Sequence, residues 1–232
     1  TRSSRHRTGQ GGDEFTYKQV PWPLRAFQIL ARSTDNNAEE EEEDMWEGYP
    51  EETNAPYGIA KKSLMQLLIA YKEQYNFNAI NLIPVNMYGP EDNFNPESSH
   101  VIPALIRKFH RATLEKPHQK VSVWGTGNAS REFLYIDDCA RAIIMAMEEH
   151  NDPEPVNIGT GIEITIKDLV NTISKKMSYE GKIVWRSEKP DGQPRRCLDT
   201  SKAEKLFGFK AETDFDKGLQ KTIDWFEGAI RI

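Results

Sequence analysis

Between residues 79 and 159 short apolar runs closed by turns are interspersed with longer segments of helical period. Ala79-Ile80-Asn81-Leu82-Ile83-Pro84-Val85 is mostly apolar and ends at Asn86-Met87-Tyr88-Gly89-Pro90. A run of that length closed by a turn predicts a buried strand. Residues 102–114 then predict a helix. Val121-Ser122-Val123-Trp124 alternates and halts at Gly125-Thr126-Gly127, the mark of a strand and turn. Glu132-Phe133-Leu134-Tyr135-Ile136 predicts another strand, followed by an apolar helix that Asp137 or Asp138 would cap. Val156-Asn157-Ile158-Gly159 closes the series as a strand ending in glycine. Helix following strand in this way limits the chain to an α/β fold with a parallel, helix-covered sheet.

The later elements are shorter and predict a small C-terminal α+β lobe. Residues 164–177 read as a helix in which Thr165 and Asp168 have the spacing of a capping box, with Asp in the Glu place. Residues 182–186 read as a strand, residues 189–197 as a Pro- and Gly-rich loop with two adjacent arginines, and residues 201–206 and 215–226 as helices. The 232 residues suffice for one sizeable core and a second small lobe. Residues 1–44 differ in character: a basic, aperiodic start, an apolar patch broken by Pro21 and Pro23, then the acidic run Glu39-Glu40-Glu41-Glu42-Glu43-Asp44. Such a run is usually solvated. The expected division is therefore a poorly ordered arm over 1–44, with one short element near 25–31, and a compact unit over 45–232.

Composition excludes several classes. A net charge of −6 argues against non-specific nucleic-acid binding. Cys139 and Cys197 are too few for a disulfide framework and lack metal-ligand spacing, so no metal is expected and a cytoplasmic, reducing location is the default. No run is long and apolar enough to span a bilayer, and the start, Thr1-Arg2-Ser3-Ser4-Arg5, is polar.

Chemistry enters at Ala55-Pro56-Tyr57-Gly58-Ile59-Ala60-Lys61. Pro56 suits the first turn of a helix, and Leu64, Leu67, Leu68 and Tyr71 continue at helical spacing. Tyr57 and Lys61 are then one turn apart on one face. Free tyrosine titrates near pH 10, too high for proton transfer at neutrality, and a nearby ammonium stabilises the phenolate. Tyr and Lys at this spacing also arise by chance on helix surfaces.

These residues resemble the Tyr-x-x-x-Lys pattern of the extended short-chain dehydrogenase/reductase superfamily. Four further stretches resemble its GDP-L-fucose synthase branch: Pro84-Val85-Asn86-Met87-Tyr88-Gly89-Pro90, Ser99-His100-Val101-Ile102-Pro103-Ala104-Leu105, Val123-Trp124-Gly125-Thr126-Gly127 with Arg131-Glu132-Phe133-Leu134, and Lys189-Pro190-Asp191-Gly192-Gln193-Pro194-Arg195-Arg196. The likeness covers roughly residues 45–228. It implies a partial Rossmann-like sheet with a nucleotide-sugar lobe, NADP(H) as cofactor, a GDP-linked 4-keto-6-deoxy-mannose as substrate, and a homodimer. It implies that Tyr57, Lys61 and His100 are catalytic, with Tyr57 protonating the C4 oxygen, Lys61 lowering its pKa and His100 serving the epimerisation. Cofactor contacts would come from Tyr57, Lys61, Pro84, Asn86, Met87 and His100. Substrate contacts would come from Asn86, Lys108, Trp124, Arg131 and Arg195. Without the resemblance, a lone histidine at a helix start is an ordinary polar residue, a surface arginine is usually solvated, and Trp124 reads almost equally well as a core aromatic.

The chain also departs from that pattern. The Gly-x-x-Gly-x-x-Gly turn that cradles the cofactor's pyrophosphate is missing, since Gly9, Gly11 and Gly12 have no strand before them and no apolar helix after. Ser33 and Thr34 are the only candidates for the third catalytic hydroxyl, and no cysteine stands in the same zone. Three expectations follow: weak or no NADPH binding, an unpaired central strand edge where the first strands are missing, and retained GDP-sugar binding. Two alternatives to the synthase reading stay open, a non-catalytic remnant that binds nucleotide sugar and another nucleotide-sugar 4-epimerase or dehydratase that shares Tyr57 and Lys61.

Overall fold

The computed structural model describes residues 26–27, 41–46, 49, 55–114, 119–189 and 191–230. In chain order its elements are β1 (Ala26–Phe27), a 3-10 turn (Glu43–Trp46), α1 (Ala55–Tyr75), β2 (Asn81–Pro84), β3 (Asn86–Tyr88), α2 (Val101–Thr113), β4 (Val121–Trp124), β5 (Ser130–Tyr135), α3 (Ile136–Glu149), β6 (Pro155–Ile158), β7 (Glu163–Thr165), α4 (Ile166–Lys176), β8 (Ile183–Arg186), α5 (Ser201–Phe207) and α6 (Phe215–Ile230). The helix-covered parallel architecture is as expected. β2 pairs in parallel with both β1 and β6, β4 with β8, and β3 with β5; the antiparallel β5–β7 pair is the exception.

The apolar run 79–85 forms the buried strand β2, as expected, but the stretch after it, expected to be a turn, forms β3 in a second sheet. The chain crosses between sheets at Val85, whose N–H donates to Ile158 O at 2.9 Å. Pro84, with no N–H to give a ladder, ends β2. The expected bare edge is also corrected: Ala26 and Phe27 pair with Asn81 and Leu82, so β2 is flanked on both sides there. The rest of the apolar patch, and the candidates Ser33 and Thr34, lie outside the described residues.

Two apolar cores hold the layers together. One gathers Leu82, Ile83, Val156 and Ile158 from β2 and β6 beneath Met65 of α1 and Ala142 and Ala146 of α3. The other packs Ile106 and Phe109 of α2 against Val123, Phe133, Ile173 of α4 and Ile223 of α6. Each large side chain so buried contributes about 1.5–3 kcal/mol. Alanine at positions 142 and 146 of α3, both fully buried, allows close approach to the sheet.

Several local expectations change. Thr165 does cap α4, accepting Asp168 N–H at 3.0 Å while its hydroxyl donates to the Asp168 carboxylate at 2.6 Å. The helix begins only at Ile166, because residues 163–165 form β7 instead. Neither Asp137 nor Asp138 caps α3; Tyr135 holds that position, and Asp138 reaches the Glu212–Thr213 backbone. Glu42, in the acidic run expected to be solvated, is 5% exposed and accepts Asn157 N–H at 2.7 Å. Its burial pushes the carboxyl above the ordinary range. On α1 only Leu68 of the four spaced apolar residues is buried; Ala55, Gly58 and Met65 complete the inner face. Leu64, Leu67 and Tyr71 face solvent.

Candidate active site

α1 presents its first turn to an open cavity of about 970 Å³. Tyr57 lines the cavity, and the Lys61 ammonium lies 5.4 Å from the centroid of its ring. The spacing of one helical turn therefore does bring the two groups together. From the opposite side come the turn after β3 and the start of α2. His100 occupies the N-cap of α2 with extended backbone (φ −71°, ψ 174°), and its side chain takes no part in the cap. The imidazole is exposed on the cavity wall. Asn86 and Met87 of β3 complete that wall, and Asn86 is oriented by donating its amide to Glu132 O at 3.1 Å. Pro84 is buried at the end of β2 and is not on the wall.

The cations expected around a diphosphate divide into groups. Lys108 and Trp124 border a second, smaller cavity of about 270 Å³, beside Arg111 and Lys120. Trp124 is 65% exposed, which rules out the core reading, and Lys189 sits 5.7 Å from its ring centroid. Arg131 donates to Ser130 O and Gln193 O, both at 2.6 Å. Burial pulls its pKa down, and the neighbouring charge of Arg196 pulls in the same direction. Arg195 turns to Glu163, with Nε 2.8 Å from the carboxylate. Arg196 is the one of the adjacent pair on the main cavity wall.

Three carboxylates that sequence reasoning passed over build this region. Asp191 fastens the arginine loop to the glycine turn after β4, accepting Thr126 N–H at 2.6 Å and Thr126 Oγ1–H at 2.8 Å. Those bonds hold the Asp191 carboxyl below the usual range. Gly125, at φ 78°, has no room for a Cβ beneath that carboxylate. Glu132 is buried; its carboxylate takes N–H bonds from Thr160 and Gly161, and from Leu198 at 2.9 Å. The base of the arginine loop is thus tied to β5. Asp92 lies in the cavity wall itself, and burial raises its carboxyl above the ordinary range. Burial also raises the Tyr88 phenol.

Fold and site together define a parallel-sheet protein with a helix-borne tyrosine–lysine pair facing a histidine across one cavity. Residues 27–159 match the NAD dependent epimerase/dehydratase family, and the chain belongs to that family. It is 44% identical to a probable GDP-L-fucose synthase 1 of Oryza sativa subsp. japonica over 80% of this chain and 56% of that protein. It is 42% identical to the GDP-L-fucose synthase of Escherichia coli (strain K12) over 80% of this chain and 60% of that one. The chain thus spans little more than half the length of the curated relatives it matches. Among solved structures, a GDP-L-fucose synthetase from Naegleria fowleri bound to NADP superposes with a TM-score of 0.80 at 27% identity, covering 89% of this chain and 67% of that one.

The described residues fit one end of a dinucleotide. Tyr57, Asn86, Met87 and His100 line a cavity wide enough for a nicotinamide and its ribose, with the Lys61 ammonium above the tyrosine. Among the described residues, the positive-φ glycines at 125, 127, 161, 192 and 208 follow β4.

Proposed function

We propose that this chain carries the catalytic and nucleotide-sugar-binding part of a GDP-L-fucose synthase-like epimerase/reductase that uses NADP(H). The observation that supports it most is the meeting of Tyr57, Lys61 and His100 at one cavity. Bound NADPH would supply hydride. Tyr57 gives its proton to the C4 oxygen of the sugar, and the Lys61 ammonium stabilises the phenolate that remains. His100, across the cavity, exchanges protons with the carbons that invert. Arg131, Arg196 and the cations near Trp124 face the diphosphate and the nucleoside as a charge-assisted clamp. Lys61, Asn86 and Met87 would hold the nicotinamide end.

The stripe of Leu64, Leu67 and Tyr71 on the outer face of α1 supports a homodimer built on that helix. No described helix is long and apolar enough to cross a membrane.

Removing the Tyr57 hydroxyl with Tyr57→Phe lowers turnover of the GDP-keto-sugar roughly 10²- to 10⁴-fold, the usual worth of a general acid. The same change leaves GDP affinity within about twofold, while Arg131→Ala weakens GDP roughly tenfold or more. Turnover assays and calorimetry with GDP on the three proteins test this. Equal losses of GDP affinity in the two variants would overturn the division of the site. Intact GDP binding with no turnover in the wild-type chain would leave a binding lobe.

A further inference from the structure

A buried glutamate ties the arginine loop to the sheet, and the reaction as described leaves it without a role. Glu132 of β5 is 1% exposed. Its Oε1 takes N–H bonds from Thr160 and, at 2.8 Å, from Gly161, both in the turn after β6. Its Oε2 takes the Leu198 N–H at 2.9 Å, at the far end of the arginine loop. A carboxylate accepts on both oxygens, so it can hold backbone N–H groups from two segments at once; an amide has only one accepting atom. Gly159 makes this approach possible, since a Cβ there would collide with the Glu132 carboxylate.

The course of the loop shows what the tie at Leu198 does. Gln193 O accepts from Arg131 Nη1 at 2.6 Å, and Pro194 O accepts the Ser130 N–H at 2.9 Å. Arg195 then turns to Glu163 at 2.8 Å. Arg196 follows on the wall of the main cavity, and two residues later Leu198 N–H meets Glu132. Arg196 is therefore held between a bond to Ser130 on one side and a bond to Glu132 on the other. The hold works against charge. Burial lowers the pKa of Arg131, and the charge of Arg196 lowers it further, so the folded loop keeps two guanidinium groups close enough to repel. With the tie at Leu198 released, that repulsion favours Arg196 swinging out to solvent.

We propose that Glu132 is the positioning residue for Arg196: by holding the Leu198 N–H it fixes the end of the arginine loop and keeps the Arg196 guanidinium on the cavity wall. Its part in binding rests on the reading of Arg196 as a contact of the GDP diphosphate. Glu132 itself touches neither substrate nor cofactor.

Glu132→Gln is the discriminating variant. Its amide oxygen can still take Thr160 and Gly161, while its NH₂ group cannot accept from Leu198. Amide exchange of the full chain then shows Leu198 N–H protected in the wild type and roughly tenfold faster in Glu132→Gln, with Thr160 and Gly161 still protected. The Arg196 Nε–H resonance, assigned by its loss in Arg196→Lys, shifts in Glu132→Gln. Calorimetry with GDP closes a double-mutant cycle. Arg196→Ala and Glu132→Gln each weaken GDP roughly tenfold, and the double variant stays within about twofold of Arg196→Ala alone. A residue that only stabilises the fold would give additive losses. Gly159→Ala crowds the same carboxylate without altering it, and gives the same pattern in weaker form. Additive losses, or a Leu198 exchange rate unchanged in Glu132→Gln, overturn the proposal. Failure of both Glu132→Gln and Gly159→Ala to fold overturns it as well, because Glu132 is then scaffold only. A wild-type chain that binds no GDP sinks the functional reading alone, and the Leu198 and Arg196 resonances still decide whether Glu132 positions the guanidinium.

Discussion

Asp138 and Asp92 make an instructive pair, one at the junction of α3 with the start of α6 and one in the cavity loop. Asp138 is fully engaged. It accepts N–H bonds from Glu212 at 3.2 Å and Thr213 at 2.8 Å, and pairs with Arg141 at 3.0 Å. Burial pushes its carboxyl up, yet those donors together hold it below the ordinary 3.8. Asp92 has one backbone donor, and there burial wins and the carboxyl rises. One aspartate stands in the first turn of α3 and the other in a loop turn, and their opposite states follow from how many donors the fold brings. A carboxylate with every donor in place is scaffold. One left short of donors beside a cavity is available for chemistry.

The largest test of that contrast is stability. Asp138→Ala strands two backbone N–H groups and removes one of the partners of Arg141, and should cost roughly 3 kcal/mol in denaturant unfolding. A loss below about 1 kcal/mol would erase the distinction. Asp92→Asn, by contrast, should change stability by less than about 1 kcal/mol in either sign, because little native bonding is lost.

The smallest expected effect is a difference in pH dependence. The folded-state carboxyl of Asp138 lies below its unfolded value, so its contribution is present above about pH 4 and is lost as pH falls through the folded value. Asp92 has the reverse sign. Its folded value lies above the unfolded one, so its ionisation costs stability above the folded value, and that cost is absent below about pH 4. Unfolding curves across acid pH should therefore show a shallower acid loss for Asp138→Ala and a shallower loss towards neutrality for Asp92→Asn. Slopes that move in the same direction for both would break the comparison.

The same logic explains what could be read from the chain alone. The Tyr57–Lys61 pair was legible because helical spacing is local, and so was the Thr165–Asp168 box. Periodicity marked the apolar positions of α1 but could not say which of them meet the sheet, so Leu64, Leu67 and Tyr71 were grouped with the buried Leu68. Adjacent arginines were visible, yet only the packed loop shows Arg195 turned to Glu163 and Arg196 to the cavity. Glu132 gave no signal at all, because its donors at Thr160 and Leu198 are 28 and 66 residues away.

The sequence by itself determined the alternation of strand and helix, the parallel sheet that alternation requires, and the tyrosine–lysine pair on one helical turn. Each rests on interactions between residues a few positions apart, whose geometry the backbone sets. Only the tertiary structure decided that the chain passes at Val85 from one sheet into another, that Asp138 binds the backbone 75 residues further on, and that His100 and Asp92 share a wall with Tyr57. Those outcomes depend on where distant segments meet. Which carboxylate finds its donors, and which keeps one oxygen in reserve beside the cavity, is settled by packing and not by spacing.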